Sequence, residues 1–137
     1  MSALTAKLSF FGLAILVAGG AAGCAGDSQP QVQRPATPAR VRIVEPTPDQ
    51  TTGPDLVVRA ELTGAEVVTG TRRVLQAGEG HLHLFVDGQL VSTEFPGAQD
   101  VRGLFPGPHS VQVEFVAADD APFRSRVVAA VLFMVAG

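Results

Sequence analysis

Gly78-Glu79-Gly80-His81-Leu82-His83-Leu84-Phe85-Val86-Asp87-Gly88 is the stretch from which the rest of the chain is read. Leu82, Leu84 and Val86 alternate with His81, His83 and Phe85, and a period of two is the signature of a strand with one apolar face. Asp87-Gly88 is a two-residue hairpin signal, because both residue types accept the positive φ that a tight reversal needs. It leads into Leu90-Val91-Ser92-Thr93-Glu94, which Phe95-Pro96-Gly97 breaks. Gly78 and Gly80, around Glu79, read as a flexible turn entering the strand.

The same period recurs on both sides. Val41-Arg42-Ile43-Val44-Glu45-Pro46 is a short strand closed by proline, and Thr47 to Pro54 is rich in turn residues. Leu56, Val58, Ala60 and Leu62 alternate with Val57, Arg59, Glu61 and Thr63, giving a half-buried strand. After Leu104-Phe105-Pro106-Gly107-Pro108, the run His109 to Ala117 sets Val111, Val113 and Phe115 on one face. A loop, Ala118 to Phe123, precedes a last apolar run, Arg126 to Val135, whose valines favour strand over helix. The expectation is an all-β fold: an antiparallel, immunoglobulin-like β-sandwich of about seven strands over residues 40–137. The last run, apolar on both faces, is a pairing liability if it lies at a sheet edge.

Residues 1–39 read differently. Lys7 and the apolar run Leu8 to Ala18 have the layout of a secretory signal, and the run is too short for a spanning helix of ~20 apolar residues. The stretch closes on Gly19-Gly20-Ala21-Ala22-Gly23-Cys24, and Cys24 is the single cysteine of the chain. This closing stretch resembles the lipobox of bacterial lipoproteins, although Ala21 stands where leucine is commoner. The resemblance implies a helical signal peptide over 1–23, lipidation of Cys24, and a membrane partner reached through the lipid anchor. It also implies an extracytoplasmic location at the cell membrane or outer envelope. Residues 24–39 carry Pro30, Pro35 and Pro38 among glutamine, serine and threonine, the composition of a disordered, semi-extended tether.

Composition bounds the function. Lys7 is the only lysine, so beyond Cys24 nine arginines face thirteen carboxylates, a balance of −4. An acidic, lysine-free surface disfavours nucleic acid and a polybasic membrane patch. One cysteine leaves no disulfide to staple the fold, so stability rests on the core. No Gly-x-Ser-x-Gly elbow or phosphate-binding glycine loop is present, and the expectation is no enzyme and no obligate cofactor.

His81 and His83 carry the chemical promise. Two residues apart on a strand they leave the same face ~6.7 Å apart, close enough to converge on one ion. If their strand and the His109 strand are antiparallel neighbours, His109 falls near Asp87, and Val116 to Asp120 fall near His81. The candidate metal set is therefore His81, His83 and Asp120, for copper or zinc, on an outward face shared with Gln112 and Glu114. The alternative is a polar face that keeps the sheet soluble. His109 reads as a strand-start residue bonding the preceding turn. Met134 reads as core, and Asp119-Asp120 as a solvated turn.

Three resemblances touch these residues. Leu104 to His109 is similar to the turn that introduces a late strand in bacterial immunoglobulin-like domains. Gly78 to Gly88, with Phe115 to Phe123, resembles an uncharacterised family of small envelope proteins bearing a Gly-x-Gly-His-x-His strand motif. That resemblance implies histidine at position 120, where this chain has aspartate. The His-x-His strand is also similar to copper-zinc superoxide dismutases, whose further ligands have no counterpart here. Two functions follow: a non-catalytic interaction or structural module with a possible protein partner in the envelope, or a copper- or zinc-binding lipoprotein.

Overall fold

The computed structural model describes residues 33–137. The signal segment assigned to 1–23, Cys24, and the first part of the tether lie outside the described residues.

Nine strands and their connecting loops make up the described region, with no helix among those residues. They are β1 (Arg40–Glu45), β2 (Thr51–Thr52), β3 (Leu56–Thr63), β4 (Glu66–Val67), β5 (Glu79–Val86), β6 (Gln89–Ser92), β7 (Ala98–Val101), β8 (Gly107–Ala117) and β9 (Pro122–Val135). Seven of them have four residues or more, and β2 and β4 are two-residue pieces that ride on longer neighbours. One sheet runs β1-β3-β7; the other runs β2-β9-β8-β5-β4, with β6 also paired to β5. The long strands pair antiparallel, only the two-residue pieces β2 and β4 running parallel to β9 and β5, and two sheets with this strand order make an immunoglobulin-like sandwich.

Side-chain parity explains why the sheets close on each other. In the β5–β8 ladder Leu82 faces Phe115, Leu84 faces Val113 and Val86 faces Val111, and all six are buried. From the opposite sheet Val58 and Val101 meet them, Phe95 fills the space from the β6–β7 connection, and Phe123 stacks on Phe115 with centroids 5.3 Å apart. Burying a Val, Leu or Phe side chain contributes about 1.5–3 kcal/mol each. With no disulfide available, this cluster carries the stability. At the hairpin, Asp87 (φ 50°) and Gly88 (φ 79°) both take the left-handed conformation that a two-residue reversal between Val86 and Gln89 demands.

Gly80 belongs to β5 and is no flexible turn. It pairs with Ala117, and a Cβ built there would stand 1.9 Å from the carbonyl oxygen of Val116 and 2.9 Å from the Phe115 ring. The close approach of the two backbones, over the Phe115 ring, excludes any side chain.

The tail of the proline-rich arm is anchored on the sandwich. Ala39 is buried, the Arg124 amide donates to the Pro35 carbonyl at 3.0 Å, and Arg34 reaches Asp119 and the Pro122 carbonyl. Arg34, Pro35 and Ala39 thus hold the end of the arm to the sandwich.

Gly80→Ala is expected to destabilise the sandwich by about 3 kcal/mol or more, because the clash is with backbone that cannot turn aside. Urea unfolding measures it; a loss under about 1 kcal/mol would show that the strands can separate without penalty.

Candidate functional site

His81 and His83 leave β5 on the face opposite Leu82 and Leu84, as their alternation requires. Antiparallel pairing sets His81 against Val116 and His83 against Glu114. The β8–β9 turn therefore begins beside the histidines. Ala117 and Ala121 close that turn with an N–H···O bond of 2.9 Å, and Asp120 within it adopts φ 61°. Aspartate tolerates this conformation better than most side chains.

The turn brings the expected set together. One oxygen of Asp120, Oδ1, lies 2.7 Å from His81 Nδ1 and 3.2 Å from His83 Nε2. The other ring nitrogen of His81, Nε2, stands 3.2 Å from the carbonyl oxygen of Gly70.

The open outer face foreseen for the pair is corrected by the structure. His81 is 3% exposed and His83 7% exposed. The connection between β4 and β5 folds back over them: Val68 donates to the Gly80 carbonyl at 2.9 Å, and Arg72 donates to the Ala118 carbonyl at 2.7 Å. Gly70, between them, forms the roof. Nothing in the alternation of β5 signals it, because the covering loop is contributed from outside the strand.

The cluster is built around protons. A carboxylate and a carbonyl only accept, so His81 makes both of its bonds when both ring nitrogens carry hydrogen. Burial draws the Asp120 carboxyl upward, but the hydrogen bonds and charge of His81 and His83 outweigh it and hold the group below the ordinary aspartate value. Two ligands of a tetrahedral zinc ion, each ~2.0–2.1 Å from the metal, stand more than ~3 Å apart. The 2.7 Å between His81 Nδ1 and Asp120 Oδ1 is a hydrogen-bond distance instead. No group of three or more His, Cys, Asp or Glu residues with a metal-holding arrangement occurs among the described residues.

Two ion pairs absent from the sequence reading flank the cluster. Arg34 makes a two-pronged contact with Asp119, 2.5 and 3.0 Å, and also donates to the Ala121 carbonyl. The Arg34 hydrogen bonds hold the Asp119 carboxyl below its ordinary value against the opposing pull of burial. Glu114, beside His83 on the same face, is 3% exposed and receives both prongs of Arg126, one at 2.8 Å. An arginine in the proline-rich arm and another at the start of an apolar run were the available signals; neither reveals its partner without the register.

At the far end of β8, His109 takes the place foreseen for it. Its Nδ1 lies 2.7 Å from Asp87 Oδ2, and its Nε2 lies 2.7 Å from the Phe105 carbonyl. The Phe105 carbonyl and the Asp87 carboxylate raise the His109 pKa against a smaller opposing effect of burial. Met134 is corrected: it is 44% exposed, since Phe133 and Val135 point inward and parity turns Met134 out.

No protein-family model matches the sequence. No curated protein matches it either. Among solved structures, the chain is similar to the fibronectin(III)-like modules of Clostridium thermocellum CbhA, with 19% identity, a TM-score of 0.46, and coverage of 70% of this chain and 96% of that one.

The pKa directions give two pH dependences of opposite sign. Asp119 and Asp120, both depressed, contribute stability above the ordinary aspartate value of ~3.9 and lose it as pH falls through their lower folded values. Asp120→Asn is expected to flatten that acid limb in unfolding curves between about pH 2 and 5; an unchanged slope would sever the carboxylate from the histidines. His109, raised, contributes fully below its ordinary value of ~6.5 and loses that contribution as pH rises through its folded value. Asp87→Asn is expected to shrink this second limb, and an equal limb in the variant would assign it elsewhere.

Proposed function

We propose that this chain is an extracytoplasmic lipoprotein, tethered through Cys24, whose sandwich works by protein contact and not by catalysis. The observation that carries the reading is the outer face of β9. Val128, Leu132 and Met134 are 41%, 69% and 44% exposed there, and Ala130 between them is exposed too. Four apolar side chains in line on one face of a long strand make a contact surface. Near it Glu114 pairs with Arg126, and Asp120 with His81 and His83.

The arm supports the same reading. It meets the sandwich at the β8–β9 turn, through Arg34 and Pro35. The apolar stripe runs from that end toward the opposite one, where Pro108 pairs with Met134 and Phe105 is 81% exposed. Leu132, Met134 and Phe105 therefore lie at the end of the sandwich opposite Arg34 and Pro35.

Labelled palmitate should enter the full chain in producing cells and be absent from Cys24→Ser; an unlabelled wild type would sink the anchor. Leu132→Ser with Met134→Ser should leave stability within about 0.5 kcal/mol and abolish in-cell cross-links made through β9. Unchanged cross-links would remove the stripe from the reading. The copper- or zinc-binding alternative rests on the convergence of His81, His83 and Asp120. It requires stoichiometric metal in the purified chain that disappears in His81→Ala/His83→Ala.

A further inference from the structure

The charges of the sandwich are divided between its two ends. At the end where the arm is fastened, the Arg72 amide donates to the Ala118 carbonyl in the β8–β9 turn, and the Arg124 amide donates to the Pro35 carbonyl. Arg73 follows Arg72 in the same connection. Arg40 opens β1 opposite Thr63, which leads through Gly64 and Ala65 into β4 beside the start of β5, so it belongs to this end as well. At the opposite end the Asp49 amide donates to the Leu132 carbonyl, Asp55 receives the Gly103 amide, and Asp87 closes the β5–β6 hairpin. Asp100 lies there too, paired with Arg102.

At the fastened end Arg34 and Arg72 are engaged by Asp119 and Glu79. Arg40, Arg73 and Arg124 are exposed and make no ion pair among the described residues. Of the other carboxylates at this end, Asp120 is held by His81 and His83, and Glu66 is exposed. Val74, next to Arg73, is 77% exposed. Arginines beside an outward apolar side chain suit a phospholipid surface, where the cations meet phosphates and the apolar group enters the interface. The overall acidic balance averages over this division and conceals it.

We infer that this end of the sandwich docks on an anionic phospholipid surface, with Arg40, Arg73 and Arg124 at the headgroups and Val74 entering the interface. The inference rests on the lipid anchor proposed above and deepens it, because the anchor brings the domain to a membrane and this end decides how it sits there. Cys24 and Arg34 are ten residues apart, a reach of at most ~36 Å. Arg34 therefore stays within that distance of the lipid, and the arginines beside it stay near the headgroups. Tethering raises the effective concentration, so a few arginines suffice to orient a domain that they could not recruit. Docked in this way, the sandwich keeps Leu132, Met134 and Phe105 at the end turned from the bilayer, free for the protein contact.

The chain has no tryptophan, so Val74→Trp and Phe105→Trp each supply a single fluorophore, one at either end. The full chain from producing cells is reconstituted in phosphatidylcholine vesicles with and without about one-third phosphatidylglycerol, and brominated acyl chains quench whichever fluorophore enters the bilayer. With phosphatidylglycerol, quenching at position 74 should be at least about threefold that at position 105. The excess should be lost in ~1 M salt, where the screening length is ~3 Å, and in Arg73→Gln/Arg124→Gln, which leaves the Arg124 amide bond intact. Equal quenching at the two positions, or quenching at position 74 indifferent to vesicle charge, overturns the docking; protein still bound to the vesicles then leaves the anchor standing. A chain that stays in solution with both vesicles removes both. A photo-cross-linker at position 74 that captures a protein in place of lipid in producing cells also overturns the docking.

Discussion

The pairing of β5 with β8 is the constraint on which the other features depend. Its register places Leu82, Leu84 and Val86 on Phe115, Val113 and Val111, and in doing so turns His81 and His83 to the other face. A slip of one residue would move the histidines into the core and the leucines out. Gly80 guards the end of this ladder, since the backbones approach so closely there that no side chain fits. Core, histidine pair and the position of the β8–β9 turn are thus consequences of one alignment.

That alignment creates a difficulty on the outer face, where burying a charged or polar group is costly unless it is paired. His81, His83 and Glu114 are all buried there, and each has a partner. Asp120 serves both histidines, Gly70 takes the remaining nitrogen of His81, and Arg126 covers Glu114. No buried side-chain nitrogen or oxygen among the described residues lacks a hydrogen-bond partner. Asp119, next in the chain to Asp120, fastens Arg34 of the arm. The β8–β9 turn therefore joins the attachment of the arm to the roofed histidines, and the contact surface is left to β9.

Strand parity was legible from residue order. The alternation at Leu56 to Leu62, the hairpin at Asp87-Gly88, the meeting of Asp120 with His81 and His83, and the pairing of His109 with the turn before it all follow from period two and antiparallel pairing. β7, Ala98–Val101, was not legible: its four residues have no apolar alternation, and it is a strand because β3 offers it a partner. Met134 was misplaced because a run apolar at every position does not reveal which residues face inward. Burial of the histidines was missed because it is conferred by the Val68–Gly78 connection, whose own sequence shows no period.

Residue order by itself determined which faces exist, since alternation along a strand is a local property of extended backbone. It also specified the hairpin and left the single cysteine without a partner in the chain. Only the tertiary structure decided what covers each face and each edge. Coverage depends on segments distant in sequence: Gly70 over His81, Arg34 on Asp119, Arg126 on Glu114, and Pro35 and Asp49 at the two ends of the β9 edge. Long-range packing closed the histidine face and left Val128, Ala130, Leu132 and Met134 exposed, because the Val68–Gly78 connection covers the first while the arm and the Asp49 loop meet only the two ends of the β9 edge.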